Sequence, residues 1–426
     1  MAATPIRNDP SDDTPILKVN VGGKLSGDRV VGGTDLSGVL HYSYTSDVIS
    51  LTDTATIDVA NPDGQLSGTI GKGSRVVLSM ADPNVNYGAT VPRFSGLVVN
   101  PRMTSRGGEK IQLQCADQGW YLEKCDAPLW FNLESSRSLE AFVLRLLRDK
   151  PDKKGNTGSD YGWGFFDDAG ELKLSKDSSN DVLLRRLNQG AVGVNRSTAV
   201  AAIKGKKGVG AADDPFVPPI QVETGVKVGQ LLIDYCRRSK LLVNVTSLGY
   251  LQLFKPDYAQ AVSYRFDYHA DDRRSRNNVL DVTVDDSVEG VATDVICVAQ
   301  NAWFKGVITK KNPNVDKIKR RYRNAGAAPH YMRMTFADND QLDGDAVANR
   351  AVWAFQRGLF DAYTITVEVF GHSQGGIFYV PNTMAAVDDS VHKIKGNFYV
   401  SACQYVRDKG GTRTVLSLKI PNLLAA

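Results

Sequence analysis

The chain has 426 residues and a mass of 46.4 kDa, which is too long for one compact core and points to about two to four domains. An apolar share of 42% and a charged share of 23% are those of an ordinary soluble globular protein. A formal charge of +4 is small for this size and argues against a dedicated nucleic-acid binder, which would carry a strongly basic face.

Residues 1–15 (MAATPIRNDPSDDTP) are polar and proline-punctuated and predict a flexible arm. From Ile16 to about residue 118 the text reads as strands. Ala55, Ile57 and Val59 alternate with Thr54, Thr56 and Asp58, and Ile111, Leu113 and Cys115 alternate with Gln112 and Gln114. Such period-two patterning marks strands with one buried and one wetter face. Turns such as Asn61-Pro62-Asp63-Gly64 and Gly107-Gly108 separate them.

The pattern changes over residues 119–275, which read as a mixed α/β module. Leu139, Phe142, Val143, Leu146 and Leu147 follow helical spacing behind Ser138, a candidate cap. Val228, Leu231, Leu232, Tyr235 and Cys236 do the same behind Thr224. A hairpin follows, with Leu241 to Val245 and Tyr250 to Phe254 joined through Ser247-Leu248-Gly249. Residues 150–219, rich in Gly, Lys, Asp and Ser, form an insertion too long for a plain loop. Strand character returns over 276–426 with Leu280, Val282 and Val284, then Val295 to Ala299. One helix is expected over 343–357, with Val347, Ala351, Ala354 and Phe355 as its apolar stripe. Tyr363, Ile365, Val367 and Val369 then alternate with Thr364, Thr366 and Glu368, and strands near Phe398 to Val406 and Thr412 to Ile420 close the chain.

The ends of the two β regions resemble each other. Phe94 opens a strand running through Asn100 and Arg102 to Arg106-Gly107-Gly108 and EKIQLQC; Phe398 opens one running through Gln404 and Arg407 to Lys409-Gly410-Gly411 and TRTVLSLKI. The expectation is a mainly β fold in which two tube-like antiparallel β-barrel domains, 16–118 and 276–426, flank the α/β module. Three chains with two similar units each would place six units around one axis.

Cys115, Cys125, Cys236, Cys297 and Cys403 are odd in number, spread out and without a CxxC pair, so they read as reduced core residues. Met1 to Pro15 lacks the apolar core of a secretory signal, and no apolar run approaches about 18 residues, so a cytoplasmic origin and no spanning segment are expected.

Chemistry-bearing motifs are few. Gly371-His372-Ser373-Gln374-Gly375 is a literal G-x-S-x-G after a strand, which would make Ser373 a hydrolase nucleophile if a helix followed at once. Instead Ile377-Phe378-Tyr379-Val380-Pro381 is extended, and Asp388, Asp389 and His392 lie too close together for separate triad loops. Asp167-Asp168, Asp271-Asp272, Asp285-Asp286 and Asp388-Asp389 are adjacent, hence ill placed to flank one glycosidic bond, and read as solvated turns. His41, His269, His330, His372 and His392 show no metal-ligand spacing, and Gly205-Lys206-Lys207-Gly208 lacks the phosphate-loop pattern. Trp163, Phe165 and Phe166 would form the platform of a carbohydrate-binding module, or else cap a local core. The basic runs Arg273-Arg274-Ser275-Arg276 and Lys317-Lys319-Arg320-Arg321-Arg323 read as solvated edges lying away from any lumen. No residue is assigned a catalytic, cofactor-binding or metal-binding role, and no cofactor is called for.

The stretch from Ala346 to Ile420 (AVANRAVWAFQRG, YTITVEVFGH, GGIFYVPNTMAAVDD and two closing strands) resembles the baseplate hub proteins of contractile phage tails, especially those of Mu-like phages, the late-control D family. The central VETGVKVGQLLIDYCRRSKLLVNVTSLGYLQLF resembles the same family's middle module. The resemblance covers roughly 16–120 and 220–426; segment 150–219 departs from it. It implies a non-enzymatic homotrimer that adapts the six-fold tail tube to the three-fold central spike. The implied neighbours are the spike, the tail tube or distal tail protein, other baseplate proteins and the tape measure protein. Phage DNA would pass through the lumen without specific binding. The implied location is the virion, assembled in the bacterial cytoplasm.

Overall fold

The structure is a computed structural model, and it describes residues 16–26, 29–61, 64, 66–82, 85, 90–104, 110–127, 132–133, 137–138, 146, 216–217, 220–221, 225–238, 241–245, 251–254, 256–270, 277–299, 319–323, 332–338 and 344–424. The arm 1–15, nearly all of the insertion 150–219 with Trp163, Phe165 and Phe166, the acidic pairs Asp167-Asp168 and Asp271-Asp272, and the run Arg273 to Arg276 lie outside the described residues. So does the helix expected behind Ser138, apart from Leu146; Ser138 itself belongs to a two-residue strand, Arg137–Ser138, paired with Phe216–Val217.

Thirteen strands form one large sheet. In chain order they are β1 (Ile16–Val21), β2 (Thr34–Leu36), β3 (Val39–Asp47), β4 (Thr54–Ala60), β5 (Arg75–Ala81), β6 (Val91–Thr104), β7 (Lys110–Asp117), β8 (Val262–Tyr268), β9 (Asp281–Asp286), β10 (Tyr363–Phe370), β11 (Thr383–Asp389), β12 (Ile394–Asp408) and β13 (Gly411–Lys419). Alternation works as expected: Ala55, Ile57, Val59, Ile111, Leu113, Ile365, Val367 and Val369 are all buried in one core, while Thr54 and Gln114 on the other face are exposed. Each Val, Leu or Ile among them contributes about 1.5–3 kcal/mol by leaving water.

The expectation of two β-barrels is overturned. The strand order is β9-β10-β13-β12-β3-β4-β7-β6-β5-β1-β2, with β11 and β8 branching from β12, and among the described residues no sheet closes on itself. The chain is a mixed α/β protein built mostly on one large, largely antiparallel sheet. The reason lies in β12. Its 15 residues serve two partners: Ile394–Val400 pairs with β11, then Ala402–Arg407 pairs with Tyr42–Asp47 of β3. The second β region thus continues into the first instead of curling onto itself, and a single core draws Tyr42, Leu113, Tyr264, Val367 and Leu416 from both.

The internal repeat goes further than the hairpins that suggested it. The order β3-β4-β7-β6-β5-β1 recurs as β9-β10-β13-β12-β11-β8. Register recurs too. Tyr42 faces Ile57, Ile57 faces Leu113 and Leu113 faces Pro101; in the second copy Val282 faces Val367, Val367 faces Leu416 and Leu416 faces Cys403. Both long strands carry a bulge at the same place, between Val98 and Asn100 and between Val400 and Ala402. The bulges match Gly96, rather than Phe94, with Phe398. One pairing differs, since β1 runs antiparallel to β5 whereas β8 runs parallel to β11.

Three helices longer than one turn complete the described residues: α1 (Gly119–Lys124), α2 (Val228–Arg238) and α3 (Gly344–Ala362). The hairpin after α2 forms as expected, with Leu242–Val245 paired to Leu251–Phe254. Helix α3 covers a small sheet (Asp294–Ala299, Lys319–Arg323 and Arg333–Asp338) through Val347, Ala351 and Phe355 against Val295 and Cys297. It runs five residues past the expected Arg357, because Gly358 is not a stop. A Cβ there would meet the Gly290 carbonyl oxygen at 2.4 Å, so glycine permits a close approach inside the helix.

Candidate functional site

The G-x-S-x-G segment follows β10 and is folded inward. Ser373 Oγ donates to Asp82 Oδ2 at 2.5 Å, and the residue is buried. His372 is fully buried, and its ring serves other partners: Nε2 lies 2.8 Å from the Tyr42 hydroxyl and Nδ1 2.8 Å from Thr414 Oγ1. Thr414 donates its own proton to the Gly371 carbonyl at 2.6 Å. Thr414 therefore accepts from Nδ1–H, and Nε2 accepts from Tyr42. Burial lowers the imidazole pKa to about 3, which keeps it neutral. Downstream, Tyr264 donates to the Phe378 carbonyl at 2.7 Å and Tyr405 donates to that of Tyr379. The segment is a clamp between repeats, in which the Ser373 hydroxyl is tied to Asp82 while the His372 imidazole faces Tyr42 and Thr414.

The other titratable candidates are also structural. Asp388 and Asp389 end β11 rather than sit in a solvated turn, and Asp285 and Asp286 end β9. Asp389 is buried and accepts from the Val391 and His392 amides at 2.8 and 3.0 Å and sits 2.7 Å from His392 Nδ1. Asp267, His269 and Asp388 come together within 4.8 Å, a grouping invisible in sequence. Both carboxylates are already engaged by cations, Arg265 at 3.1 Å and Lys395 at 2.8 Å. Cys115, Cys236, Cys297 and Cys403 are buried thiols, and Cys125 is half-exposed. His41 stands on β3, and His330 and Lys317 lie outside the described residues; the rest of the second basic run, Lys319–Arg323, is a strand of the small sheet.

The feature with functional reach is the seam where β12 meets β3. Tyr405 stands directly opposite Tyr44, their rings stacked at 5.3 Å and 8° from parallel, and Phe94 meets Tyr44 edge-on at 5.5 Å. Gln404 Nε2 donates to Ser43 Oγ at 3.0 Å, and the Val48 amide donates to the Ser401 carbonyl at 3.0 Å. Beneath the seam Tyr44 donates to Asp53 at 3.2 Å, and the amide of Asp117 donates to the Asp53 carbonyl at 3.0 Å. Burial pushes both carboxyls well above the usual range, to about 7 for Asp53, and the charge of Asp53 adds to the rise at Asp117.

The seam has an unfinished counterpart. Among the described residues, β9 pairs with β10 alone, and the distal half of β6, Asn100–Thr104, pairs with β7 alone. Large apolar side chains stand exposed at these edges: Met103 on β6 (51% exposed) and Leu280 (38%) and Val288 (64%) beside β9. Alternation along the chain marks these stretches as strands, but their status as edges depends on pairing.

The chain superposes on the tail protein from Neisseria meningitidis MC58 with a TM-score of 0.66, at 17% identity over 96% of this chain and 98% of that one. It is similar to the 43 kDa tail protein of prophage MuSo2 from Shewanella oneidensis, with a TM-score of 0.63 and 14% identity over 96% and 99%. The fold is that of phage tail proteins. No family model matches the chain, and no curated protein matches it by sequence. At these identities the likeness carries the fold alone, and the site's meaning rests on the open sheet edges. No helix among the described residues is long and apolar enough to cross a membrane.

Proposed function

We propose that this chain is a non-enzymatic structural protein of a phage tail, acting as a baseplate hub. Three copies form a ring that adapts the six-fold tail tube to the three-fold central spike. One observation carries the reading: the six-strand order occurs twice per chain, with four strands of each unit in matching register, and the two units are joined edge to edge through β12 and β3. Three chains then supply six near-equivalent units, which is what a three-fold body needs to seat on a six-fold one. The units are the β regions 16–118 and 276–426, the latter with β8 added, and residues 119–275 otherwise form the module between them.

The wetter face of the sheet suits a conduit. It presents Thr45, Thr56, Gln112, Gln114, Gln404 and Ser417, and two of its cations are held in ion pairs: Lys110 with Asp58 at 2.5 Å, Arg413 with Glu368 at 2.8 Å. A lining of hydroxyls, amides and paired charges offers a passing duplex few phosphate contacts, so it would not retard DNA. The spike, the tube or distal tail protein, the other baseplate proteins and the tape measure protein are the neighbours this role entails, with the virion as its location. Mass measurement and negative-stain imaging of the purified protein test it. The expected result is a particle of three chains with a three-fold ring; a chain that stays monomeric at high concentration would overturn the reading.

A further inference from the structure

We propose that the distal half of β6 and strand β9 are the two halves of a joint between copies of this chain, paired in the register of the internal seam. The inference rests on the ring reading above and names its contact. The matched registers set β12 residues 302 positions beyond their β6 counterparts (Cys403 against Pro101) and β9 residues 240 positions beyond their β3 counterparts (Val282 against Tyr42). In the seam, β12 places Ala402, Cys403, Gln404, Tyr405 and Val406 opposite Asp47, Ser46, Thr45, Tyr44 and Ser43. Carried through the repeat, those pairs become Asn100 with Ser287, Pro101 with Asp286, Arg102 with Asp285, Met103 with Val284 and Thr104 with Thr283.

The side chains fit a pairing that nothing in the repeat obliges them to fit. Met103, half-exposed on this chain, falls opposite Val284, in the place of the stacked Tyr405 and Tyr44. Arg102 falls opposite Asp285, both exposed, so opposite charges meet where the seam has Gln404 and Thr45. Leu280 and Val288 flank the same contact. The two edges belong to different repeats, so the joint is head-to-tail, the heterologous kind that closes rings. An open strand edge bearing apolar side chains is a hazard in a solitary protein and a template in an assembling one.

The test introduces Met103→Cys and Val284→Cys together in the full chain, followed by mild oxidation and a non-reducing gel. The expected result is a ladder at two and three times the chain mass, absent from either single variant. A companion charge swap reads the same register: Arg102→Asp or Asp285→Arg alone should raise the concentration needed for assembly about tenfold, and the combined variant should restore it. Three-chain particles that neither cross-link nor respond to the swap would overturn the proposed joint while leaving the ring reading in place. A wild-type chain that never associates would overturn both.

Discussion

Ser373 shows how a residue with the right neighbours in sequence can have the wrong ones in space. Its hydroxyl is committed to Asp82, and His372 is committed to Tyr42 and Thr414. Ser373→Ala should therefore cost on the order of 1 kcal/mol of stability, read by chemical denaturation, and leave assembly unchanged. An assembly defect larger than that destabilisation explains would contradict the clamp. Asp53 makes a second expectation. Its folded pKa of about 7 stands above the ordinary 3.8, so the folded state holds a proton that the unfolded chain has lost. Stability from this group is full below about pH 4 and declines as pH rises to about 7. Asp53→Asn should flatten that decline in melting curves taken across the interval, and an unchanged pH profile would remove Asp53 as its source.

At the scale of elements, the bulged long strands are what allow one strand to serve two neighbours. The bulge after Val400 lets β12 leave β11 and take up β3. Close packing guards the equivalent hairpin in the first repeat: a Cβ on Gly96 would meet the Ala116 carbonyl oxygen at 2.2 Å. Gly96→Ala should open the β6–β7 ladder at a cost of about 2 kcal/mol or more, seen as faster amide exchange in β7 than in β10. Equal protection in both strands would mean that the sheet absorbs the methyl group. Period-two alternation made β4, β7 and β10 legible, and helical spacing made α2 legible. The end of α3 was not, because Gly358 reads as a terminator until Gly290 is seen against it.

For the whole molecule, a protein whose folded form is favoured by association has a stability that depends on its concentration. The melting temperature should rise with protein concentration for the wild type and lose that dependence in the Arg102→Asp variant. A concentration-independent melt in both would speak against assembly through these edges. The repeat was visible in sequence only at its hairpins, through Arg102, Gln404 and the Gly-Gly turns. Strands β3 and β4 share order and register with β9 and β10 but few residue types, Tyr42 matching Val282 and Ile57 matching Val367, so pattern alone could not align them.

By itself, the amino-acid sequence determined that segments such as β4, β7 and β10 are strands, which face of each is apolar, and that no catalytic constellation is spelled out along the chain. Those are local properties, set by side-chain alternation and turn chemistry within a few residues. Only the tertiary structure decided that the two β regions share one open sheet instead of closing separately, and that His372 and Ser373 are internal ties. Strand pairing joins residues hundreds of positions apart, as Tyr44 joins Tyr405, and it is settled by which backbone edges remain to be satisfied, a quantity no local pattern contains.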